Sequence, residues 1–188
     1  MIIGLAGYAG AGKDTAGDIL IQKHDYMRIA FADKIRAFIY DINPQVGSLT
    51  LQEVVAKDGW DVAKQIPEVR RLLQDTGIAG RNLLGEDIWI WESLGTVVYS
   101  EANLDASGGT TGAISQKVVV TDVRFENEAR FIRDFGGQVW QVVREGVKPI
   151  NDHISETDLI GYDFDRTLTN TTREELERQI DEALASLS

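Results

Sequence analysis

The sequence predicts an α/β fold, a doubly wound parallel sheet of about five strands with helices packed on it. Three observations carry that expectation. The chain opens on an apolar run, Ile2-Ile3-Gly4-Leu5-Ala6, that passes straight into a glycine-rich turn and then a helical period. Apolar runs of strand length recur downstream and alternate with stretches whose apolar residues repeat at i, i+3 and i+4. No linker or internal repeat divides the 188 residues, so a single domain over 1–188 is expected.

The opening run reads as a strand buried on both faces. Behind it, Gly7-Tyr8-Ala9-Gly10-Ala11-Gly12-Lys13 has the G-x-x-x-x-G-K spacing of a phosphate-binding loop. Glycines let consecutive N–H groups turn toward one anion, and a lysine at this place reaches β- and γ-phosphates. A helix from Asp14 to Lys23 follows, with Ala16, Ile19 and Leu20 inward and its positive end toward the loop. Strand, loop and helix in this order make a nucleotide site of the P-loop NTPase and kinase type. Ala9, Gly10, Ala11, Gly12, Lys13, Asp14 and Thr15 are its ATP-binding candidates. The hydroxyl that commonly follows the lysine and binds Mg²⁺ is replaced by Asp14, and Thr15 comes one residue late, about 100° round the helix. Asp14 reads either as part of the site or as an acid favoured by the helix dipole.

Tyr26 to Phe31 reads as a second strand, with a helix opening at Ala32 and carrying Ile35, Phe38 and Ile39 on one face. Asp33 falls at the C-terminal edge of the sheet, where ligands of such folds gather, which makes it a catalytic candidate; the competing role is helix N-cap. Residues 44–102 are helical in pattern and form an expected acceptor-side region. Leu104 to Gln116, rich in Gly, Ser and Thr, reads as a mobile loop, either a simple excursion or a cover over the site. Lys117 to Thr121 is a buried strand ending in Asp122-Val123-Arg124, an acid placed to serve Mg²⁺ or its waters. A helix from Phe125 to Phe135 stops at Gly136-Gly137, and Gln138 to Arg144 is another strand. Asp165 to Thr169 reads as the last strand. Thr172 and Glu175 make a capping box for a closing helix with Leu176, Ile180, Leu184 and Leu187 on one stripe.

Composition narrows the function classes. A net charge of −11 argues against coating nucleic acid, although a local basic pocket can hold a phosphate ester. With no cysteine there is no disulfide and no thiolate metal site. No signal peptide or membrane span is visible, so a cytoplasmic protein is expected, in host cytoplasm if the chain is phage-encoded.

Several strings, in order along nearly the whole chain, are similar to one family: GYAGAGKDT, FADKIR, RRLLQDTG with GR and GEDIW, VVVTDVRFENEA, GGQVWQVVR and HISE. The chain resembles phage-type deoxynucleoside monophosphate kinases, within the P-loop nucleoside monophosphate kinases whose G-K-x-T loop it shares. The resemblance implies ATP-dependent phosphorylation of a deoxynucleoside 5′-monophosphate to the diphosphate, with Mg²⁺ held largely through water, here by Asp122. It departs at Gly77-Ile78-Ala79, where the family shows Gly-Thr-Glu, and Arg81 arrives one residue early. Two other readings stay open: a P-loop kinase of another small molecule, such as dephospho-coenzyme A, and a nucleotide-binding switch without an acceptor.

Phosphoryl transfer needs placement and positive charge more than a base, because an acceptor monophosphate is already ionised at pH 7. Lys13 and Arg124 are the catalytic candidates beside Asp33, and Arg144 is assigned to ATP. Lys34, Arg70, Gln74, Arg81, Trp91, Arg124 and Glu128 are assigned to the acceptor. Arg124 could instead be salt-bridged to Asp122, and Glu128 to Arg124 or Arg130. Arg36, Arg71, Arg130 and Arg133 read as surface residues. Trp89 and Trp91 could stack on a base or pack in the core; His153 could touch nucleotide or be a loop histidine, and His24 reads as surface. The expected partners are small molecules, not nucleic acid or membrane. A homodimer is admitted but not required.

Overall fold

The computed structural model describes residues 1–101, 116–149 and 153–187. Seven strands and eight helices lie among them: β1 (Ile2–Ala6), α1 (Lys13–His24), β2 (Met27–Ile29), α2 (Phe31–Ile42), β3 (Gln45–Val46), β4 (Leu49–Thr50), α3 (Leu51–Ala63), α4 (Pro67–Leu84), α5 (Ile88–Glu101), β5 (Val118–Val123), α6 (Glu126–Asp134), β6 (Gln138–Val143), α7 (Ile154–Thr157), β7 (Arg166–Thr169) and α8 (Arg173–Ala185). Five strands form one parallel sheet in the order β2-β5-β1-β6-β7. That is the expected α/β architecture. By contact the chain divides into two compact units, Met1–Ala30 with Leu94–Ser188, and Phe31–Ser93.

In the first unit, β1 is the central strand and every one of its residues is buried. Its side chains explain the order of packing. Ile3 and Leu5 meet Ala16, Ile19 and Leu20 of α1 and Leu176, Ile180 and Ala183 of α8 in one apolar cluster. Gly4 presses against Ile132 of α6, where an added Cβ would be 2.6 Å from the Ile132 methyl. Burying chains of this size is worth roughly 1.5–3 kcal/mol each, which makes the apolar β1 the strand the others assemble on. The turn after α6 uses Gly136 at φ 73°, and Gly137 sits where a Cβ would meet the Ile2 carbonyl. Thr172 caps α8 by accepting the Glu175 N–H at 3.2 Å.

The second unit is helical around a core of Ile39, Val46, Leu51, Val54, Ala63 and Val69. Its β3–β4 hairpin, turned by Gly47 at φ 63°, is not anticipated by the sequence pattern. Thr50 and Glu53 form a reciprocal capping box at the start of α3, and Gly59 at φ 75° breaks that helix.

Three boundaries differ from expectation. β2 is only Met27–Ile29, and Phe31 begins α2 instead of ending the strand. Asp33 therefore lies inside the first turn of α2, not at its N-cap, and its carboxylate accepts from Arg36 at 2.9 Å. The β5 strand runs on through Asp122 and Val123, and Phe125 is the N-cap of α6. Among the described residues no helix is long and apolar enough to cross a membrane. Residues 104–115 of the expected mobile loop lie outside the described residues.

Candidate phosphate-binding site

The loop after β1 is shaped by three glycines at positive φ: Gly7 at 137°, Gly10 at 82° and Gly12 at 108°. L-residues with a Cβ rarely adopt these angles, and at two positions space forbids one as well. A Cβ on Gly7 would collide with the Val142 carbonyl, and one on Gly12 with the Asn170 amide. Asn170 itself donates from Nδ2 to the Ala11 carbonyl at 2.9 Å, while its N–H is held by Val143 at 2.8 Å. The end of β7 thus braces the loop from one side. The sequence pattern does not single out Asn170, because its partner is 159 positions away.

Lys13 begins α1 and is buried. Its ammonium donates to the Gly7 carbonyl at 2.7 Å and the Tyr8 carbonyl at 3.1 Å, folding back over the loop. Burial pushes its pKa below the ordinary lysine value, and the neighbouring Arg124 guanidinium pushes the same way. The carboxylates of Asp14, Glu156 and Asp122 pull it back up. Asp14, Asp122, Arg124 and Glu156 are therefore each within electrostatic reach of Lys13. Asp14 is exposed in the first turn of α1 and Thr15 is half-buried. Beside the loop opens a cavity of about 190 Å³ whose walls include Gly7, Tyr8, Arg124, Arg144, Glu156 and Phe164.

Arg124 is not salt-bridged to Asp122. Its Nη1 donates to the Glu156 carboxylate and, at 3.2 Å, to the Ser155 carbonyl. Glu128 bonds to Arg124, the structural alternative to its acceptor role, but through the backbone. Its Oε2 accepts the backbone N–H of Arg124 at 2.7 Å and of Phe125 at 3.1 Å, and the side chain is buried. This is a cap for the start of α6, which lacks a capping hydroxyl at Phe125. That bond leaves Glu128 poorly suited to meet an anionic acceptor. Arg144 is exposed past the end of β6, on the cavity wall, and makes no ion pair among the described residues. Arg133 is not a free surface residue: it pairs with Asp165, donates to the Asp163 carbonyl and lies over the Tyr162 ring. His153 caps α7 through Nδ1, which accepts the Ser155 N–H at 3.2 Å. His24 is paired with Asp181 at 2.9 Å.

The remaining candidates lie in the second unit. Lys34 is exposed on α2, and Arg70 and Gln74 are half-buried on α4. Arg81 donates to the Glu86 carbonyl at 2.8 Å, closing the turn after α4. Arg71 is in exposed i±3 and i±4 pairs with Glu68 and Asp75. Of the two tryptophans, Trp89 is core, with its Nε1 donating to the Gly77 carbonyl at 2.9 Å. Trp91 is 43% exposed, not core.

Comparison with known proteins places these features in company. A family profile described as deoxynucleotide monophosphate kinase matches residues 45–180. A protein of Acanthamoeba polyphaga mimivirus, provisionally named a deoxynucleotide monophosphate kinase, is 28% identical over 191 residues, covering 96% of this chain and 94% of its own. Among solved structures, the chain is similar to shikimate kinase from Aquifex aeolicus, with a TM-score of 0.46 at 13% identity over 99% of this chain and 97% of that one. Shikimate kinase from Bacteroides thetaiotaomicron gives a TM-score of 0.43 at 14% identity, covering 98% of both chains. These last values are too low to carry an inference about substrate.

Proposed function

The chain belongs to the deoxynucleotide monophosphate kinase family, and from that premise we propose that it transfers the γ-phosphoryl group of ATP to a deoxynucleoside 5′-monophosphate. The observation that carries this reading is a buried Lys13 folded onto the Gly7 and Tyr8 carbonyls of an anion-cradling loop, with Arg124 lining the same cavity as those two residues. The Arg124 charge opposes that of Lys13, and arrival of a polyphosphate converts that repulsion into attraction for both.

In this reading the N–H groups of Ala9 to Thr15 hold the donor's β- and γ-phosphates. Lys13 gives up its loop carbonyls for them, and Arg144 meets the donor from the cavity wall. Arg124, on the cavity wall beside the loop, stabilises the charge that spreads over the transferred group. Lys34, Arg70, Gln74 and Arg81 receive the acceptor, and exposed Trp91 offers its ring to the base. Asp33 serves only if it leaves Arg36. Glu128 is withdrawn from the acceptor and acts through the backbone of Arg124.

In this reading Asp122, the acid near the C-terminal end of strand β5 beside the loop, is the residue offered to a hard cation whose other ligands are water and phosphate. Asp122 would hold Mg²⁺ through such waters, and the ion would neutralise phosphate charge.

The test is a panel of acceptors offered with ATP and scored by ADP release. Release that depends on a deoxynucleoside monophosphate supports the reading. Equal release with and without any acceptor would mean a switch, and release only with dephospho-coenzyme A would mean another kinase. Lys13→Ala should remove transfer while the melting temperature stays close to that of the parent.

A further inference from the structure

The HISE string, residues 153–156, builds something that the reading above leaves unused. His153 caps the single turn of α7, which fixes Ser155 and Glu156 at the cavity wall. Both then converge on one atom, the Nη1 of Arg124. Glu156 is 7% exposed, so its carboxylate is held where leaving its partner would be costly. Arg124 is 36% exposed and faces the cavity, and its Nε and Nη2 make no hydrogen bond among the described residues. From the other side, Glu128 pins the Arg124 backbone N–H at 2.7 Å.

We propose that Glu156 is a positioning residue for Arg124, gripping one corner of the guanidinium so that the Nε–Nη2 edge stands ready for phosphate oxygens. The inference rests on the phosphate-binding role of Arg124 given above. A guanidinium presents a planar fork whose two N–H groups match two phosphate oxygens. Left alone, an arginine side chain samples many rotamers, and ordering it during the reaction adds to the barrier. Ordering it beforehand removes that contribution. The Glu156 carboxylate also offsets the repulsion between Arg124 and Lys13 while no phosphate is present. A different role for the same contact is a counter-ion that withholds Arg124 until phosphate displaces it. The two roles predict opposite signs.

The experiment compares Glu156→Ala and Glu156→Gln with the parent, alone and combined with Arg124→Ala, in steady-state kinetics and melting. A positioning role predicts that Glu156→Ala lowers kcat by roughly 10- to 100-fold while both KM values change little. Glu156→Gln should fall between, since it keeps an acceptor oxygen without the charge. In the Arg124→Ala background, removing Glu156 should cost less than about twofold more, because the two act as one unit. Losses that multiply, or a kcat that rises, would overturn the inference. Should Glu156→Ala fail to fold, the Gln variant carries the same comparison.

A readout without turnover separates this from the proposed function. The Nε–H signal of Arg124, assigned by its loss in Arg124→Ala, should report a rigid side chain in the parent and a mobile one in Glu156→Ala, with Glu156→Gln in between. Mobility equal to the parent's in Glu156→Ala, or in Glu156→Gln and Glu156→Asp together should the alanine variant not fold, overturns the grip. If Arg124→Ala keeps a normal kcat, the phosphate role of Arg124 falls, and the grip is judged by this signal alone.

Discussion

Asn170 has the longest reach of the residues that shape the phosphate loop. Its amide supports the Ala11 carbonyl and occupies the space a Cβ on Gly12 would need. Asn170→Ala should leave the sheet intact, because the backbone bond to Val143 remains. The loop loses one hydrogen bond, worth about 1 kcal/mol, so the KM for ATP should rise about fivefold with kcat nearly kept. Gly12→Ala is the harsher change, since it adds a Cβ at φ 108° and drives it into Asn170. Loss of ATP binding in Gly12→Ala, partly restored when Asn170→Ala is added, is the double-variant result that would tie the two together. Tyr26 gives a prediction of another kind. Its hydroxyl is buried without a hydrogen-bond partner among the described residues, and burial pushes its pKa up to about 12. The folded chain then keeps the phenolic proton longer than the unfolded one, so this group takes stability away as pH rises from about 10 toward 12. Tyr26→Phe should flatten that alkaline limb in denaturant titrations and be neutral to slightly stabilising near pH 7.

The second unit's helices meet through small residues. Gly80 of α4 lies flat against the Trp89 ring, and the Gly77 carbonyl accepts the indole N–H. Alanine at 80 would gain about 1 kcal/mol of helix propensity, but its Cβ would overlap the indole and cost about 1–3 kcal/mol. Gly80→Ala is therefore expected to lower the melting temperature, and a rise would show that the indole can move aside. The phosphate loop is legible in the sequence because its backbone demands glycine at fixed spacing, β1 because a strand buried on both faces is apolar throughout, and β5 and β6 through their apolar runs Val118–Val120 and Val139-Trp140. The hairpin β3–β4 is not, since two-residue strands carry no period; Gly47-Ser48 is its one signal. Phe31 read as strand because an apolar residue at a boundary suits either element. Partners distant in sequence, such as Arg124 with Glu156 or Asn170 with Ala11, leave no local pattern at all. The apolar neighbours of Trp91 leave both core and base platform open in the sequence, and helix geometry turns it outward from buried Ile90.

At the scale of the molecule, the division into two units sorts the candidate residues. The loop, Asp122, Arg124 and Arg144 belong to the unit of Met1–Ala30 and Leu94–Ser188, whereas Lys34, Arg70, Gln74, Arg81 and Trp91 belong to Phe31–Ser93. The second unit is one continuous stretch of chain between two parts of the first, with its own apolar core. A ligand stabilises what it binds, by about 2.7 kcal/mol at a hundred times its dissociation constant, and amide exchange reports that gain segment by segment. Hydrogen exchange with a non-hydrolysable ATP analogue should therefore slow over residues 2–24 and 118–126, and change little over α2 and α4. A deoxynucleoside monophosphate alone should do the reverse, slowing exchange in α2 and α4 around Lys34, Arg70 and Arg81. The effect should shrink as salt is added, because an acidic chain of net charge −11 holds a dianion only through local cations that ions screen. Slowing by the monophosphate confined to the first unit would move the acceptor away from α2 and α4 and leave Arg124 as its main cation. Slowing of α4 by the ATP analogue alone would reassign Arg70 and Arg81 to the donor.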